Sequence, residues 1–388
     1  MAATEAEFLK GLGPVPPVLG LAVSGGGDSM ALLSLASALR CHAVTVDHGL
    51  RAESRAEAEA VARHCAAIGI PHDILRWQWD GTGNLQDAAR RGRYALIAEW
   101  AQARGIGVVA LGHTQDDVAE TFLMRLARGA GLDGLSAMRG AWFDRIDWRR
   151  PLLGISRAAL RDHLTAKGIA WIEDPSNDDP RFERVRARQA MAHLPLGLTA
   201  ERLAEVAGHL SDARAALDAA MLAAARSHAR IEGGDVVIDP DLPPEILRRL
   251  VLHAMAWVAP SDYGPRGEAL LRALTAKTAT LHGCVLTRGK TLRIAREAAA
   301  TPAPAGEVWD CWRIDGLAPG QQVSALGEDI ALCPRWRESG LPRRSLLASP
   351  AVREGGRLVA APLAGFGPGL VAQHIPPPEA FHSSPLSH

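Results

Sequence analysis

Ser24-Gly25-Gly26-Gly27-Asp28-Ser29 decides how this chain is read. It stands between an apolar run, Val18–Val23, and a stretch with helical apolar spacing from Met30 to Leu39. Three consecutive glycines tolerate positive φ and let the backbone approach a ligand closely, so successive N–H groups can turn inward as an anion nest. A helix beginning near Ser29 aims the positive end of its dipole at the same point. Two serine hydroxyls add donors, whereas Asp28 can face a phosphate only with a cation between them. A magnesium-bound polyphosphate suits that set. The segment carries neither the G-K-[ST] of a Walker A loop nor G-x-G-x-x-G. A tight strand–helix turn without a ligand is the plainer alternative.

The chain around the loop alternates. His42–Val46, Ile74–Trp77 and Val108–Leu111 read as short buried strands. Ala56–Ile68, Leu85–Ala103, Val118–Ala127 and Arg157–Lys167 read as helices, three of them closed by Gly105, Gly129 and Gly168. Strands alternating with helices predict an α/β unit with a parallel sheet covered on both faces. In such sheets ligands bind beyond the carboxyl ends of the strands, here just after Val23, Val46, Trp77 and Leu111. From Leu198 to about Trp257 the pattern turns to Ala/Leu-rich helices broken by Gly233-Gly234 and Pro243-Pro244. A hairpin is expected over Leu281–Ile294, and Ala298–Gly306 has the composition of a linker. The organisation expected is therefore a parallel-sheet domain over 1–190, a mainly helical domain over 191–297, and a small α+β C-terminal module over 306–388, frayed from about Pro376.

Composition narrows the class. With 388 residues, 47% hydrophobic and 22% charged, the chain is globular and long enough for two to three cores. Its 43 basic and 43 acidic residues balance, so any nucleic acid must be held by a local patch. Only four of the basic residues are lysine; the rest are arginine, whose planar fork suits phosphate. Cys41, Cys65, Cys284, Cys311 and Cys333 form no C-x-x-C pair, which argues against a disulfide framework, a zinc ribbon or a cysteine-held iron–sulfur cluster. Neither a signal peptide nor a membrane span is indicated, and a cytoplasmic location is expected.

The loop resembles the S-G-G-x-D-S signature of the PP-loop ATP pyrophosphatases, which are adenine-nucleotide alpha-hydrolase-like and split ATP into AMP and pyrophosphate through an adenylated intermediate. Further motifs follow in order: Val46-Asp47-His48-Gly49-Leu50-Arg51, Ala89-Arg90-Arg91-Gly92-Arg93-Tyr94, Leu111-Gly112-His113-Thr114-Gln115-Asp116-Asp117-Val118-Ala119-Glu120-Thr121, Arg149-Arg150-Pro151-Leu152-Leu153 and Trp171-Ile172-Glu173-Asp174-Pro175-Ser176-Asn177. This set is similar to that of the tRNA(Ile)-lysidine synthase family across about residues 18 to 190, and more weakly through Thr280-Leu281-His282-Gly283-Cys284. The resemblance implies a ligase that adenylates the C2 oxygen of the wobble cytidine of a CAU-anticodon tRNA(Ile). Free L-lysine then attacks C2 and AMP leaves. It leaves a homodimer or a monomer open.

By that resemblance ATP is held by Ser24, Gly25, Gly26, Gly27, Asp28 and Ser29, with Asp47 and His48 beside the adenosine. Catalytic roles fall to Asp28, Arg93, His113, Asp117 and Glu120, and Mg²⁺ to Asp28 and Asp117. Asp117 and Glu120 share a helix face and could equally hold the ammonium of the substrate lysine. On their own, D-D-x-x-E suits a solvated helix N-terminus just as well. Arg181, Arg184 and Arg188 fall on one helical stripe with Arg186 beside it, a pattern for tRNA phosphates or for a plain basic face. Val185 stands where the family usually has Asn, and Met30 where Ser or Thr is frequent. A PP-loop tRNA thiolase is the alternative enzyme, although Cys41 and Cys65 sit at a strand start and mid-helix. A catalytically dead tRNA-binding fold is the alternative without chemistry.

Overall fold

The structure is a computed structural model that describes residues 2–49, 54–79, 81, 85–173, 179–261 and 264–383. Leu50, Arg51 and the run Asp174-Pro175-Ser176-Asn177 of the motifs above lie outside the described residues. The chain divides into two compact units, Met1–Arg214 and Ala215–His388.

In the first unit α1 (Ala2–Leu12) precedes β1 (Leu19–Ala22), α2 (Gly27–Ala36), β2 (Cys41–Asp47), α3 (Ser54–Ala67) and β3 (His72–Arg76). Then come α4 (Leu85–Ala103), β4 (Val108–Leu111), α5 (Gln115–Ala127), the single turn α6 (Leu132–Leu135), β5 (Ala141–Asp144), β6 (Ile146–Arg149), α7 (Arg157–Ala166) and α8 (Glu183–Met191). The sheet order is β3-β2-β1-β4-β6-β5, parallel except for the edge strand β5. Both faces are covered, which is why β1 and β4 are apolar throughout rather than alternating. On one face Leu19 and Leu21 pack with Leu12, Leu32, Leu33, Val61, Leu160 and Leu164; on the other Val44, Val109 and Trp148 pack under Ile97 and Trp100 of α4. Burying each such aliphatic side chain contributes about 1.5–3 kcal/mol. The connections run one way from β1 to β2 and β3 and the other way to β4 and β6, so the crevice between β1 and β4 is the topological switch point.

Two strands here were not expected. Ala141–Asp144 and Ile146–Arg149 form a hairpin turning at Arg145, whose φ of 58° puts a bulky residue in the left-handed region. A turn that normally calls for Gly or Asn carried no such signal. The helices α2 and α5 also begin three residues earlier than their apolar spacing, because Gly27, Asp28 and Ser29 form a first turn that faces the crevice rather than the core alone.

The stretch 191–297 is mainly helical, as expected, but it carries more strand than the single hairpin expected over Leu281–Ile294. The helix α9 (Ala200–His228) contains the boundary between the two units. It is followed by β7 (Ala229–Glu232), β8 (Asp235–Ile238), α10 (Pro244–Val258), α11 (Gly267–Thr275), β9 (Thr278–Leu281), β10 (Cys284–Arg288) and β11 (Leu292–Arg296). These strands make a five-stranded antiparallel sheet of order β7-β8-β11-β10-β9. Gly233-Gly234, read as a helix break, is a hairpin turn with φ of 57° and 87°. Four-residue apolar runs such as Val236–Ile238 do not distinguish strand from buried helix. Beyond Gly306 two three-stranded sheets follow, and Phe381 is fully buried against Trp257, so the chain past Pro376 is anchored at least to Ser383 rather than frayed. Among the described residues no helix is long and apolar enough to cross a membrane.

Candidate active site

The glycine loop is braced from within. Ser24 N–H donates to Ser29 Oγ at 3.1 Å, and Ser29 Oγ donates to the Gly26 carbonyl at 2.8 Å. Ser29 thus holds the loop's shape, while Ser24 Oγ lies 3.2 Å from it. Gly25 has φ of 91°, and a Cβ there would come within 2.8 Å of Ile172 Cδ1. Ile172 N–H in turn donates to Gly25 O at 2.9 Å, clamping the loop from a later segment. Gly26 caps α2 without any side-chain bond, so the first amides of the helix point outward as free donors. Gly112, after β4, lets that loop approach the helix: its Cβ would lie 3.2 Å from Asp28 C and O. Met30 is buried in the core, so a hydroxyl at this position would face away from a ligand.

Next to the nest lies a cluster of acids, centred on a residue the motif reading passed over. Arg157, at the first position of α7, places Nε 3.3 Å from Asp28 Oδ2, Nη2 3.3 Å from Asp117 Oδ1 and Nη1 3.0 Å from Glu120 Oε1. Its backbone N–H donates to Asp116 Oδ2 at 2.7 Å. Asp117 also closes a capping box with Thr114, whose N–H donates to Asp117 Oδ2 at 2.8 Å. Burial works against the Arg157 charge, but Glu120, Asp28 and Asp117 outweigh it and hold the guanidinium above its usual range. Burial raises Asp28 despite Arg157 beside it. The signal for Arg157 was positional: a cation in a helix's first turn opposes the dipole and needs another reason to be there.

The arginine stripe of α8 faces the same acids. Arg188 Nε sits 2.9 Å from Glu120 Oε1, and Arg184 Nε 3.4 Å from Glu120 Oε2. Arg184 also donates to Thr121 Oγ1 at 3.2 Å. Arg181 pairs with Asp179, and Arg186 donates to the carbonyls of Pro180 and Arg181. Val185 is buried, so no polar contact is made from it. Asp47 Oδ1 accepts the Gly49 N–H at 2.9 Å, an Asx turn that leaves Oδ2 available. His48 meets the edge of Trp77 at 5.9 Å, and burial lowers its pKa.

His113 leads into α5 beside a basic group of its own. Burial, reinforced by Arg150, Arg90 and Arg93, drives its pKa down to about 3, so the imidazole is neutral in ordinary buffers. Burial also lowers Arg93. A neutral imidazole can donate from one ring nitrogen and accept at the other.

Asp28 bonds Arg157 through Oδ2 alone, and Asp117 Oδ1 faces only guanidiniums, so each can turn a hard oxygen to Mg²⁺ held by one or two carboxylates and otherwise by phosphate and water. Among the described residues no group of three His, Cys, Asp or Glu side chains forms a metal cage. All five cysteines are buried, and burial pushes Cys41 and Cys65 up to about 11, so no thiolate is presented near the loop.

A braced glycine loop at the switch point, with acids at the mouth of the next helix, defines a PP-loop, ATP-utilising protein. The family model of the PP-loop domain matches residues 5–194. Curated relatives match nearly the whole chain: a tRNA(Ile)-lysidine synthase of Ruegeria pomeroyi is 48% identical over 96% of this chain and 95% of its own, and one of Zymomonas mobilis is 39% identical over 82% and 95%. The chain belongs to the tRNA(Ile)-lysidine synthase family. Among solved structures, the U34-tRNA thiolase NcsA from Methanococcus maripaludis matches 54% of this chain and 78% of its own, with a TM-score of 0.47 and 17% identity.

Proposed function

We propose that the chain ligates free L-lysine to C2 of the wobble cytidine (position 34) of CAU-anticodon tRNA(Ile), using ATP and passing through an adenylated tRNA. The observation that carries this is Arg157 joining Asp28, in the turn of the amide nest, to Asp117 and Glu120. A seat for anions thereby adjoins a seat for cations. The family names support tRNA(Ile) as the substrate and ATP as the co-substrate.

The C2 oxygen attacks the α-phosphorus, the bond to the bridging oxygen breaks, and pyrophosphate leaves towards the amides of α2. The lysine ε-amine then attacks C2, the C2–O bond breaks, AMP leaves with that oxygen, and the nitrogen loses a proton. Mg²⁺, held by Asp28 and Asp117 together with the polyphosphate, would supply charge neutralisation for the leaving group. Three carboxylates here already face the guanidiniums of Arg157, Arg184 and Arg188. An incoming ammonium (pKa near 10.4 in free lysine) must take the place of one of these cations. Arg184, with contacts of 3.4 and 3.9 Å, holds on least. Released, it would join Arg181, Arg186 and Arg188 along the tRNA backbone. The C-terminal module, 306–388, has two candidate roles, a further grip on tRNA or support of a dimer, and the reaction is placed in the cytoplasm.

The test is AMP release from ATP with purified protein, unmodified CAU tRNA(Ile) and each amino acid in turn. Release that requires both that tRNA and lysine is expected. Release indifferent to lysine overturns the choice of nucleophile.

A further inference from the structure

On the β4–β6 side of the crevice lies a basic recess in which Asp117 is the opposite charge that reaches Arg150 and His113. Arg90 and Arg93 of α4 flank Tyr94, their guanidinium carbons 5.5 and 5.8 Å from the ring centroid. Arg150, just past β6, lies 4.2 Å over Trp142. Trp142 stacks on Trp148 at 5.8 Å, and Tyr94 meets Trp148 edge-on at 4.9 Å, so one aromatic frame carries all three cations. Among the described residues neither Arg90 nor Arg93 has an ion-pair or hydrogen-bond partner. Arg150 is 9% exposed; its Nη1 donates to Arg139 O at 2.8 Å, while Nε is buried and unpartnered. His113 Nδ1 is likewise buried without a partner. Burial holds both Arg93 and Arg150 below their usual range. Arg93 and Arg150 are like charges withdrawn from water, with the exposed Arg90 beside them, and such a group is costly unless an anion completes it.

We propose that Arg90 and Arg150, on either side of the catalytic Arg93, form the seat of an RNA phosphodiester, the one flanking the reacting cytidine, distinct from the amide nest that receives the polyphosphate of ATP. This rests on the reading of the chain as acting on a tRNA wobble base. The nest belongs to β1 and α2, whereas the recess is built from α4 and the end of β6, with β4 between them in the sheet. A base drawn out of an anticodon loop brings its own phosphate with it, and the acidic side of the crevice repels that charge. Arginine forks match phosphate bidentately. The aromatic frame of Tyr94, Trp142 and Trp148 is of the residue kind that stacks unpaired bases.

The test compares Arg90→Gln and Arg150→Gln with the parent in two assays: binding of unmodified CAU tRNA(Ile) across a salt series, and binding of a non-hydrolysable ATP analogue. Each variant should bind tRNA roughly three- to tenfold more weakly, with the slope of log K against log[salt] reduced by about one, while analogue affinity stays within about twofold. Arg90 is exposed, so its variant remains informative if the buried Arg150→Gln does not fold. An unchanged tRNA affinity and slope overturns the seat, as does lost analogue affinity with tRNA binding intact. A parent protein that binds no tRNA and releases no AMP overturns the functional reading itself, a result distinct from either of these.

Discussion

Arg157 Nη1 donates to Glu120 Oε1 at 3.0 Å, tying the first turn of α7 to a carboxylate of α5 that is wholly buried. The same guanidinium reaches Asp28 and Asp117, so one side chain sets the spacing between the phosphate loop and the acidic helix. Arg157→Ala leaves these acids short of a partner, and breaking a buried pair in this way typically costs about 3–5 kcal/mol. Chemical denaturation should show a loss of that order, with Arg157→Lys recovering part of it. A loss under about 1 kcal/mol would mean that the cluster is solvated and weak.

Gly25→Ala tests the clamp on the loop. Its φ of 91° and the 2.8 Å approach of Ile172 Cδ1 both oppose a Cβ. The strain should cost about 1–3 kcal/mol and distort the nest. AMP formation should fall more steeply than tRNA binding, which is measured separately by filter binding. Full activity in this variant would show that the loop reshapes freely around ATP.

His113 makes stability depend on pH in a defined direction. Its pKa is about 3 in the folded chain, against about 6.5 when unfolded. Between those values the unfolded chain binds the extra proton. The contribution is therefore complete above about pH 6.5 and is lost progressively as pH falls towards 3. Urea midpoints at pH 7.5 and 5 should differ less in His113→Gln than in the parent. Equal differences in the two proteins would remove His113 from the account.

Arg186 and Arg188 are two residues apart on α8 but should answer differently. Arg188 holds the buried Glu120 at 2.9 Å, whereas the exposed Arg186 bonds only backbone carbonyls. Arg186→Ala should lower the salt slope of tRNA binding by about one and leave stability within about 0.5 kcal/mol. Arg188→Ala should destabilise by roughly 1–3 kcal/mol and raise the KM for lysine. Identical effects from the two variants would show that the stripe acts as one surface.

The parallel sheet and the phosphate loop could be read from sequence because each followed a local rule: buried strands stay apolar, and glycines with a following helix make a nest. The predicted helix Leu85–Ala103 and strand Val108–Leu111 match the structure residue for residue. What stayed hidden was what depends on distant partners. Arg157 lies 37 positions from Glu120 in sequence, and nothing local marks the pair. The basic recess draws on α4, β6 and the turn after β4, and only the topology of the sheet brings them together. In the second unit the hairpin of β10 and β11 was legible, whereas β7 and β8 were not, because four residues are too few to show a period.

The bond from Ile172 N–H to Gly25 O also bears on how the protein comes into being. The glycine loop leaves the ribosome early, but the segment that clamps it is translated only after β6 and α7. A nascent chain stopped short of Ile172 thus carries the motif without its brace, and contacts of such high sequence separation form late and slowly. Nucleotide binding should accordingly mark completion of the first unit, which makes ATP affinity a gauge of folding in truncated chains. The motif belongs to a short peptide; the working loop belongs to a folded unit.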